Sequence, residues 1–405
     1  MSTVSKTTTS TTTITIPMSE PDIGAAERTA VLEVLDGKTL ALGPRLALFE
    51  ERLAARVGAR HGIAVNSGTS ALHLCLLAAG VGEGDVVVTT PFSFVASANC
   101  ILYVRARPVF VDVDPVTLTL DPERFERAVQ AIGRSGQRVK AVIPVHVFGQ
   151  AADMDAIVAI AERHGIAVIE DACEAIGGAY KGRPLGTIGD AGTFAFYPNK
   201  QMTTGEGGMI VTNDTRWSDL CKSLRNQGRD VFDEWLAHTR LGYNYRLDEM
   251  SAALGLAQVA RLDEILAKRA RVAAWYEARL GDVEGVATPR MSETTTTASW
   301  FVYVVRLRDL ATRAHVMREL GTRGIPSRPY FPPIHLQPFY RADFGFRTGA
   351  FPVSEAAGDT CLALPFFGTM TESAVDAVCG ALREVLASTA TAEAPPRRRS
   401  GGARA

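Results

Sequence analysis

Three short stretches of the chain carry groups that could do chemistry, and each follows a run typical of a β-strand. Lys200 lies in TFAFYPNKQMTTGEGGM, between such a run and a glycine-rich turn. Glu170 and Asp171 end the run IAVIED, and the small residues 67–69 (SGT) follow GIAVN. An amine, two carboxylates and a helix start with unpaired backbone N–H groups are the kinds of group that bind and activate a small molecule.

Each group also has an ordinary structural explanation. Apolar and aromatic residues precede Lys200 and favour a neutral, nucleophilic amine, but most lysines are solvated surface residues. Asp171 either caps a helix in DACEAIG or holds a cation in a cleft. Gly68 and Thr69 at a helix start suit a phosphate, whereas Ser67 or Thr69 could instead serve only as the N-cap of that helix.

Taken together, the three stretches predict a pyridoxal phosphate site. In such a site a lysine forms a Schiff base with the cofactor, a carboxylate keeps the pyridine nitrogen protonated, and a backbone cradle anchors the phosphate. Lys200, Asp171 and the helix start at Gly68 supply these three functions. The protonated ring is an electron sink, and the freed Lys200 amine moves the proton that leaves the bound amine.

The elements that position these groups follow from the hydrophobic pattern. The strand-like runs GIAVN, DVVVTT, PVFVDV, KAVIPVHV and IAVIED alternate with apolar periodic segments typical of helices. This alternation predicts a mostly parallel sheet with helices on both faces. Such sheets bind ligands at the carboxyl ends of their strands, where all three stretches fall.

A chain of 405 residues has room for two domains. We predict a large cofactor-binding domain over residues 17–265 and a small C-terminal α/β domain over 266–388, joined by the long amphipathic stretch after Met250. The Thr/Ser-rich residues 1–16 and the Pro/Arg-rich tail 389–405 are predicted to be disordered.

The composition favours an enzyme that acts on small molecules. A net charge of −1 and a pI near 6.7 give no basic field for nucleic acid. The six cysteines include no C-x-x-C pair, which argues against a zinc site or a disulfide framework, so we predict no metal. No segment has the length and apolarity of a membrane span, so we expect a cytoplasmic protein with neither nucleic-acid nor membrane partners.

A series of motifs in fixed order resembles one enzyme family. SGTSAL, PFSFVASAN, PVHVFGQ, EDACEAIGG, YPNKQMTTGEGGM, LGYNYRLDEM and SRPYFPPIHLQPFY are similar to motifs of the DegT/StrS-type sugar aminotransferases. The resemblance runs from about residue 16 to residue 387. It implies a pyridoxal phosphate-dependent aminotransferase of fold type I, in which a large domain with a mostly parallel central sheet is followed by a smaller α/β domain.

The resemblance assigns cofactor contacts by position. Lys200 matches the lysine that carries the cofactor, and Asp171 matches the aspartate beneath the pyridine nitrogen. Gly68 and Thr69 match the pair that binds the phosphate, and Phe94 in PFSFVAS matches the aromatic residue that stacks on the ring.

One further position implies a homodimer with shared active sites. Asn244 in GYNYR matches an asparagine that reaches the phosphate of the neighbouring subunit's cofactor in this family. The alternative is a local cap of the helix that follows Leu247.

Two positions depart from the family pattern. Ala195 stands where a serine hydroxyl commonly touches the phosphate, so that hydrogen bond is absent or supplied by Thr193 or water. Glu174 stands where many members have glutamine or histidine near the phenolic oxygen of the cofactor. A glutamate there must be protonated or form its hydrogen bonds elsewhere.

The resemblance also indicates the reaction. Lys200 argues against the family's dehydratase branch, in which histidine replaces it, and favours transamination. The motifs are most similar to those of enzymes that aminate 4-keto-6-deoxy sugars linked to a nucleoside diphosphate, with glutamate or glutamine as donor. The alternatives are a keto-inositol substrate, a precursor of an aminated aromatic acid, or a non-catalytic regulator that binds pyridoxal phosphate or a nucleotide.

Candidate contacts for the diphosphate tail of such a substrate are Arg229, Arg240, Tyr330 and His335. For each arginine, a surface ion pair with Asp230, Asp233 or Glu234 is an equal alternative.

Overall fold

The computed structural model describes residues 16–230 and 237–393, with side chains as far as residue 388. Its helices are α1 (Ala25–Gly37), α2 (Pro44–Val57), α3 (Gly68–Ala78), α4 (Ala96–Tyr103), α5 (Pro122–Arg134), α6 (Met154–His164), α7 (Thr215–Arg225), α8 (Glu249–Ala260), α9 (Leu262–Leu280), α10 (Leu310–Thr322), α11 (Pro338–Phe344), α12 (Pro352–Thr360) and α13 (Glu372–Glu393). No helix in the described part of the chain is both long and apolar enough to cross a membrane.

Its strands are β1 (His61–Val65), β2 (Val86–Thr89), β3 (Arg107–Phe110), β4 (Val139–Val142), β5 (Ala167–Asp171), β6 (Ala179–Tyr180), β7 (Arg183–Pro184), β8 (Ala191–Ala195), β9 (Gly208–Thr212), β10 (Thr295–Thr297), β11 (Tyr303–Arg306), β12 (Arg328–Pro329) and β13 (Cys361–Leu364). The five runs predicted as strands correspond to β1 to β5.

The central sheet has the strand order β1-β9-β8-β5-β4-β2-β3. Neighbours from β8 to β3 are parallel, and β9 runs antiparallel to both β8 and β1. The sheet is therefore mostly parallel, as the pattern predicts. Strands β5 and β8 lie side by side, which brings the carboxyl end of β5 next to the chain that leads to Lys200.

Alternate residues of the strands enter two separate hydrophobic cores. In β1, Ala64 faces a core built with α2, α5, α6 and α8, whereas Ile63 and Val65 face a core built with α3, α4 and α7. This two-residue period is that of a strand covered on both faces. The sheet therefore lies between two helical layers.

A second domain forms around the antiparallel sheet β11-β13-β12. Helix α9 joins the two domains, because Leu262 packs into a core of the large domain while Val272 and Tyr276 pack into that of the small domain. The proposed boundary at residues 265 and 266 falls inside this helix.

The ends of the chain differ from the sequence prediction where they are described. Ile16 is buried in the core of the second domain, and the backbone N–H of Phe366 donates to the carbonyl of Met18 at 3.0 Å. Helix α13 continues to Glu393, past the predicted boundary at residue 388. The remainder of the two predicted disordered tracts lies outside the described residues.

Candidate active site

A cavity of about 760 Å³ opens at the carboxyl ends of the central strands. Its walls come from the start of α3, the chain before α4, the loop after β5, the loop after β8, and residues 329–339 of the second domain. Seven sequence-predicted site residues line it: Gly68, Thr69, Phe94, Asp171, Glu174, Lys200 and Tyr330. The fold thus brings together residues that are far apart in the chain.

The start of α3 forms one end of the cavity. Ser67 is the N-cap, with extended backbone and a hydroxyl oxygen that accepts a hydrogen bond from the Ser70 N–H at 3.1 Å. Gly68 and Thr69 form the first turn and line the cavity. N–H groups in a first turn have no acceptor within the helix, and the helix dipole favours an anion there. Ser67 therefore caps the helix, while the next two residues are placed to bind a phosphate.

Two glycines allow the helix start to lie close to the sheet. A Cβ on Gly68 would lie 2.8 Å from the Ala195 Cβ and 2.9 Å from the Cys173 Sγ. A Cβ on Gly208 would lie 2.5 Å from the carbonyl carbon and oxygen of Ser67. Real Cβ atoms do not approach so closely, so the glycine-rich turn before β9 is required by packing.

Asp171 ends β5 and is only 6% exposed. Its Oδ2 accepts a hydrogen bond from the Ser97 hydroxyl at 2.7 Å, and its Oδ1 accepts one from the Cys173 N–H at 3.2 Å. A turn rather than a helix follows, and no basic side chain among the described residues forms an ion pair with Asp171. The carboxylate therefore neither caps a helix nor pairs with a protein cation, and instead faces the cavity.

Glu170, the other acidic residue of the pair, forms contacts that stabilise the fold and does not face the cavity. Glu170 is fully buried, and its carboxylate accepts hydrogen bonds from the N–H groups of Gly186, Ile188 and Gly189 and lies 2.9 Å from His146 Nε2. It holds the loop between β7 and β8.

Lys200 lies in the loop after β8, and its side chain is only 13% exposed. Its Nζ is 3.5 Å from Glu174 Oε1 and 4.0 Å from the centre of the Phe301 ring. A cation next to an aromatic face is stabilised by the ring electrons. The surface-lysine alternative does not hold, because the amine points into the cavity between a carboxylate and an aromatic ring.

Glu174 is buried beside Lys200. Its Oε2 accepts a hydrogen bond from the Phe148 N–H at 2.9 Å. Burial raises the pKa of the Glu174 carboxyl above its ordinary value, although Lys200 acts in the opposite direction. Both carboxylate oxygens thus already have partners from the protein.

Comparison with known proteins assigns the chain that forms this cavity to a family. Residues 21–383 match the DegT/DnrJ/EryC1/StrS aminotransferase family, which covers nearly the whole described chain. This chain is a DegT/DnrJ/EryC1/StrS aminotransferase. It is therefore a pyridoxal phosphate-dependent enzyme, and the fold and the family expected from the sequence are confirmed.

Relatives of this aminotransferase match more than nine tenths of its length. It is 42% identical over 377 residues to the GDP-perosamine synthase of Caulobacter vibrioides, a match that covers 92% of this chain and 98% of the synthase. DesV of S. venezuelae, solved in complex with a ketimine intermediate, is 33% identical with a TM-score of 0.85, covering 91% of this chain and 98% of DesV. The PLP form of the putative sugar aminotransferase Spr1654 of Streptococcus pneumoniae is 26% identical with a TM-score of 0.85, covering 92% and 99%.

The residues present in this aminotransferase fit pyridoxal phosphate. The helix start at Gly68 suits a phosphate, Asp171 suits a protonated ring nitrogen, and Lys200 is available to the carbonyl carbon. The Oδ1 atom of Asn199, which also lines the cavity, is buried without a hydrogen-bond partner among the described residues. An unpaired buried acceptor is unfavourable unless a ligand or water satisfies it.

Ala195 lines the cavity of this aminotransferase beside Gly68 and offers no hydroxyl. Thr193 does not replace the missing group, because it is fully buried and its hydroxyl donates to the carbonyl of Glu170 at 3.3 Å. Residues two apart on a strand face the same side of the sheet, but Thr193 lies deeper in it than Ala195. Of the three alternatives, an absent hydrogen bond and a water molecule remain.

Three of the four predicted substrate residues lie outside the cavity lining. Arg240 donates to Asp230 at 2.7 Å, which is the ion-pair alternative, and this pairing lowers the pKa of Asp230. Arg229 forms an isolated backbone bridge with His238. The other two acidic candidates, at positions 233 and 234, lie outside the described residues.

His335 is fully buried, and its Nε2 lies 3.0 Å from Glu355 Oε1. Burial lowers the pKa of His335. This histidine supports the loop next to α12 and has no surface to offer a substrate. Tyr330 does line the cavity, with its ring stacked on those of Phe331 and Phe148.

Asn244 is exposed on the chain before α8 and does not line the cavity of its own chain. Its backbone forms an isolated bridge with Asn226. The cap of the next helix is Asp248, whose carboxylate accepts from the Ser251 N–H at 2.9 Å. Asn244 is therefore not that cap, and its predicted function in a neighbouring subunit remains a prediction.

Sequence reasoning missed several residues of the site. Ser97, which donates to Asp171, lies within the motif PFSFVASAN and could have been found as a hydroxyl in the first turn of a mostly apolar helix. Phe301 gives no such signal, because a phenylalanine in a strand-like run resembles any core residue.

Proposed function

We propose that this aminotransferase transfers an amino group from glutamate or glutamine to the keto group of a sugar linked to a nucleoside diphosphate, with a 4-keto-6-deoxyhexose as the sugar. The observation that carries the proposal is the cavity in which Lys200, Asp171 and the start of α3 face one another. The similarity to a protein named for a GDP-linked amino sugar supports the substrate class.

Each residue in the proposal has a definite task. Bound pyridoxal phosphate supplies the electron sink that stabilises a carbanion at the donor carbon. Gly68 and Thr69 hold the phosphate with backbone N–H groups, and the Asp171 carboxylate keeps the ring nitrogen protonated. Ser97 fixes the orientation of that carboxylate through its hydrogen bond.

Lys200 acts as both base and acid in this proposal. Its Nζ would remove the proton from the donor carbon that bears the amino nitrogen, and would give a proton to the carbon on the other side of that nitrogen. The ring of Phe301 and the buried Glu174 limit the positions that Nζ can take.

The second half of the reaction needs space for the nucleotide-linked sugar. Ligand cavities of about 300–1,000 Å³ are usual for molecules of drug size, and the cavity here is in the upper part of that range. Tyr330 is the predicted substrate contact that supports this proposal, since it lines the cavity. Phe94, Tyr197 and Phe339 add exposed aromatic surface to the lining of the same cavity.

We further propose that the enzyme acts as a homodimer in the cytoplasm. Asn244 is exposed and does not line the cavity of its own chain. Both properties are expected of a residue that completes the active site of a partner subunit. All six cysteines are free thiols, which fits a reducing compartment.

A substrate panel tests the proposed reaction. The enzyme is first converted with glutamate to the amino form of its cofactor, and that form is mixed with nucleotide-linked 4-keto-6-deoxy sugars, keto-inositols, aromatic keto precursors and simple keto acids. Recovery of the visible absorbance band with a nucleotide-linked keto-sugar, and no recovery with the others, is the expected result. A faster recovery with a keto-inositol or an aromatic precursor would replace the proposed substrate class.

A further inference from the structure

Arg269 is a buried cation behind the proposed catalytic lysine. It lies on α9, is only 2% exposed, and does not line the cavity. Its Nη2 donates to the carbonyl of Lys200 at 2.8 Å and to that of Asn199 at 3.4 Å. Its Nη1 donates to the carbonyl of Phe301 at 3.0 Å and to that of Trp300 at 3.5 Å.

These partners are unusual for an arginine in a protein interior. Among the described residues Arg269 forms no ion pair with a carboxylate. Asp22, whose charge acts on Arg269 from a distance, is paired with Lys268 at 2.7 Å and with Arg261 at 3.1 Å. Burial lowers the pKa of Arg269 to about 10, which leaves the guanidinium charged near neutral pH. The guanidinium also lies 5.7 Å from the centre of the Phe366 ring. A buried charge whose partners are carbonyl dipoles and one aromatic ring, with no carboxylate, is unfavourable unless these contacts compensate for its desolvation.

The geometry of the contacts suggests what the charge is for. The carbonyls of Asn199 and Lys200 belong to the loop after β8, whereas those of Trp300 and Phe301 belong to the segment that leads into β11 of the second domain. The planar guanidinium holds both segments at once because its donors point in fixed directions. The same two segments meet again at the site, where the Lys200 Nζ lies 4.0 Å from the centre of the Phe301 ring.

We propose that Arg269 is a positioning residue for the Lys200 amine. By holding the backbone of Lys200 and that of Phe301 to one guanidinium, it fixes the amine against the ring. The inference rests on the proposed function of Lys200 and adds a residue that touches neither substrate nor cofactor. It also gives α9, which joins the two domains, a direct connection to the site.

The test uses the holoenzyme with Arg269→Lys and Arg269→Met. A lysine keeps the charge but cannot donate to both backbone segments, and a methionine keeps only the bulk. We expect turnover to fall by about tenfold to a hundredfold, as for a misplaced catalytic group, with little change in KM for either substrate. We also expect the visible circular dichroism per bound cofactor to decrease, because that signal depends on a fixed geometry between the Lys200 side chain and the ring of the cofactor.

Arg313→Lys is the matched control. Arg313 also donates through Nη1 to two backbone carbonyls, those of Gly358 and Cys361, but it lies on α10 away from the cavity. This variant should lose stability while keeping wild-type turnover and circular dichroism per bound cofactor. Arg269 variants that behave in the same way would overturn the proposal, since their bonds would then be merely structural.

A variant at Phe301 tests the proposal if neither Arg269 variant folds. Phe301→Leu removes the ring but keeps the backbone carbonyl that Arg269 binds, and it must reduce the circular dichroism per bound cofactor. An unchanged signal would overturn the proposal. Failure of the proposed function of Lys200 is distinguishable, because Lys200→Ala would then keep the wild-type absorbance band. Failure of the Arg269 inference alone leaves that band dependent on Lys200.

Discussion

Lys200 meets a carboxylate and an aromatic ring, and burial opposes the effect of these two neighbours on the charge of its amine. Glu174 at 3.5 Å and the Phe301 ring at 4.0 Å both favour an ammonium, whereas burial disfavours any charge. The proposed function uses both the charged and the neutral form of this amine, since it assigns Lys200 the tasks of nucleophile, base and acid.

Replacing the amine tests its function directly. We expect Lys200→Ala to reduce turnover by about a hundredfold to ten-thousandfold, the contribution usual for a positioned proton-transfer group, while the fold is retained. Steady-state assays and far-ultraviolet circular dichroism measure the two effects. Lys181→Ala is the control, because Lys181 is exposed and pairs with Asp155 outside the cavity. Near-normal turnover in Lys200→Ala would assign the chemistry to another residue.

The pKa of Glu174 gives a prediction about stability and pH. The pKa of this carboxyl is higher in the folded than in the unfolded protein, so its ionisation lowers the free energy of unfolding as the pH rises above the unfolded pKa of about 4.3. Below that pH the carboxyl is protonated in both states, and the loss of stability vanishes. Glu174→Gln should therefore raise the Tm of the cofactor-free protein near pH 8, and the gain should shrink as the pH falls towards that value. Thermal unfolding followed across this pH range measures the difference.

The amide oxygen of a glutamine can still accept from the Phe148 N–H, so the comparison isolates the charge. A lower Tm for Glu174→Gln near pH 8 would contradict the prediction. It would mean that the ion pair with Lys200 outweighs the cost of burying the carboxylate.

At the scale of elements, the site depends on how closely α3 approaches β8 and β9. The helix N-terminus provides the N–H groups that we propose bind the phosphate, and the two strands bring the loop with Lys200 close to it. Glycines at 68 and 208 make this approach possible. The glycine-rich turn after Lys200 thus serves the packing of the cradle as well as the path of the chain.

Gly68→Ala tests this packing. The new Cβ would clash with Ala195 and Cys173, so we expect a loss of about 1–3 kcal/mol in unfolding free energy together with weaker cofactor binding. Chemical unfolding and a fluorescence titration with pyridoxal phosphate measure the two effects. In Gly82→Ala the added methyl meets no atom within 4 Å, and this control should leave both unchanged. Equal cofactor affinity in the two variants would remove Gly68 from the cradle.

At the scale of the whole molecule, exposed apolar side chains lie near the open side of the site and on the chain before Asn244. Phe94 is 60% exposed and Leu241 is 84% exposed, and Tyr103 belongs to an aromatic cluster with His73 and Tyr243. Exposed apolar surface of this kind is typical of an interface between proteins. It supports the proposed homodimer with sites completed across the interface.

Mixed dimers test the shared site. Lys200→Ala and Asn244→Arg should each have at most about a hundredth of wild-type turnover alone. Co-refolding them should restore about a quarter of wild-type turnover per chain, because half of the random dimers carry one intact site. Activity after co-refolding and the proportion of mixed dimers, followed with a tag on one chain, are the measurements. Mixed dimers without activity would place Asn244 in the same site as the lysine of its own chain.

The sequence by itself determined the sheet and the main chemical groups of the site. Strands β1 to β5 follow from apolar runs of the right length, because a strand covered on both faces needs apolar residues throughout. Lys200, Asp171 and the start of α3 were found because they follow such runs and because the motifs around them resemble those of one family. All three signals are local in the chain.

Tertiary structure alone decided which partner each side chain meets. Arg240 pairs with Asp230, and His335 is buried against Glu355, although both residues resemble ligand contacts when their local sequence is considered alone. Phe301 and Arg269 reach Lys200 from distant parts of the chain, and nothing near them in the sequence distinguishes them from core or surface residues. The physical reason is that periodicity and turn chemistry act over a few neighbours, whereas burial, ion pairing and the position of a catalytic amine depend on segments that only folding brings together.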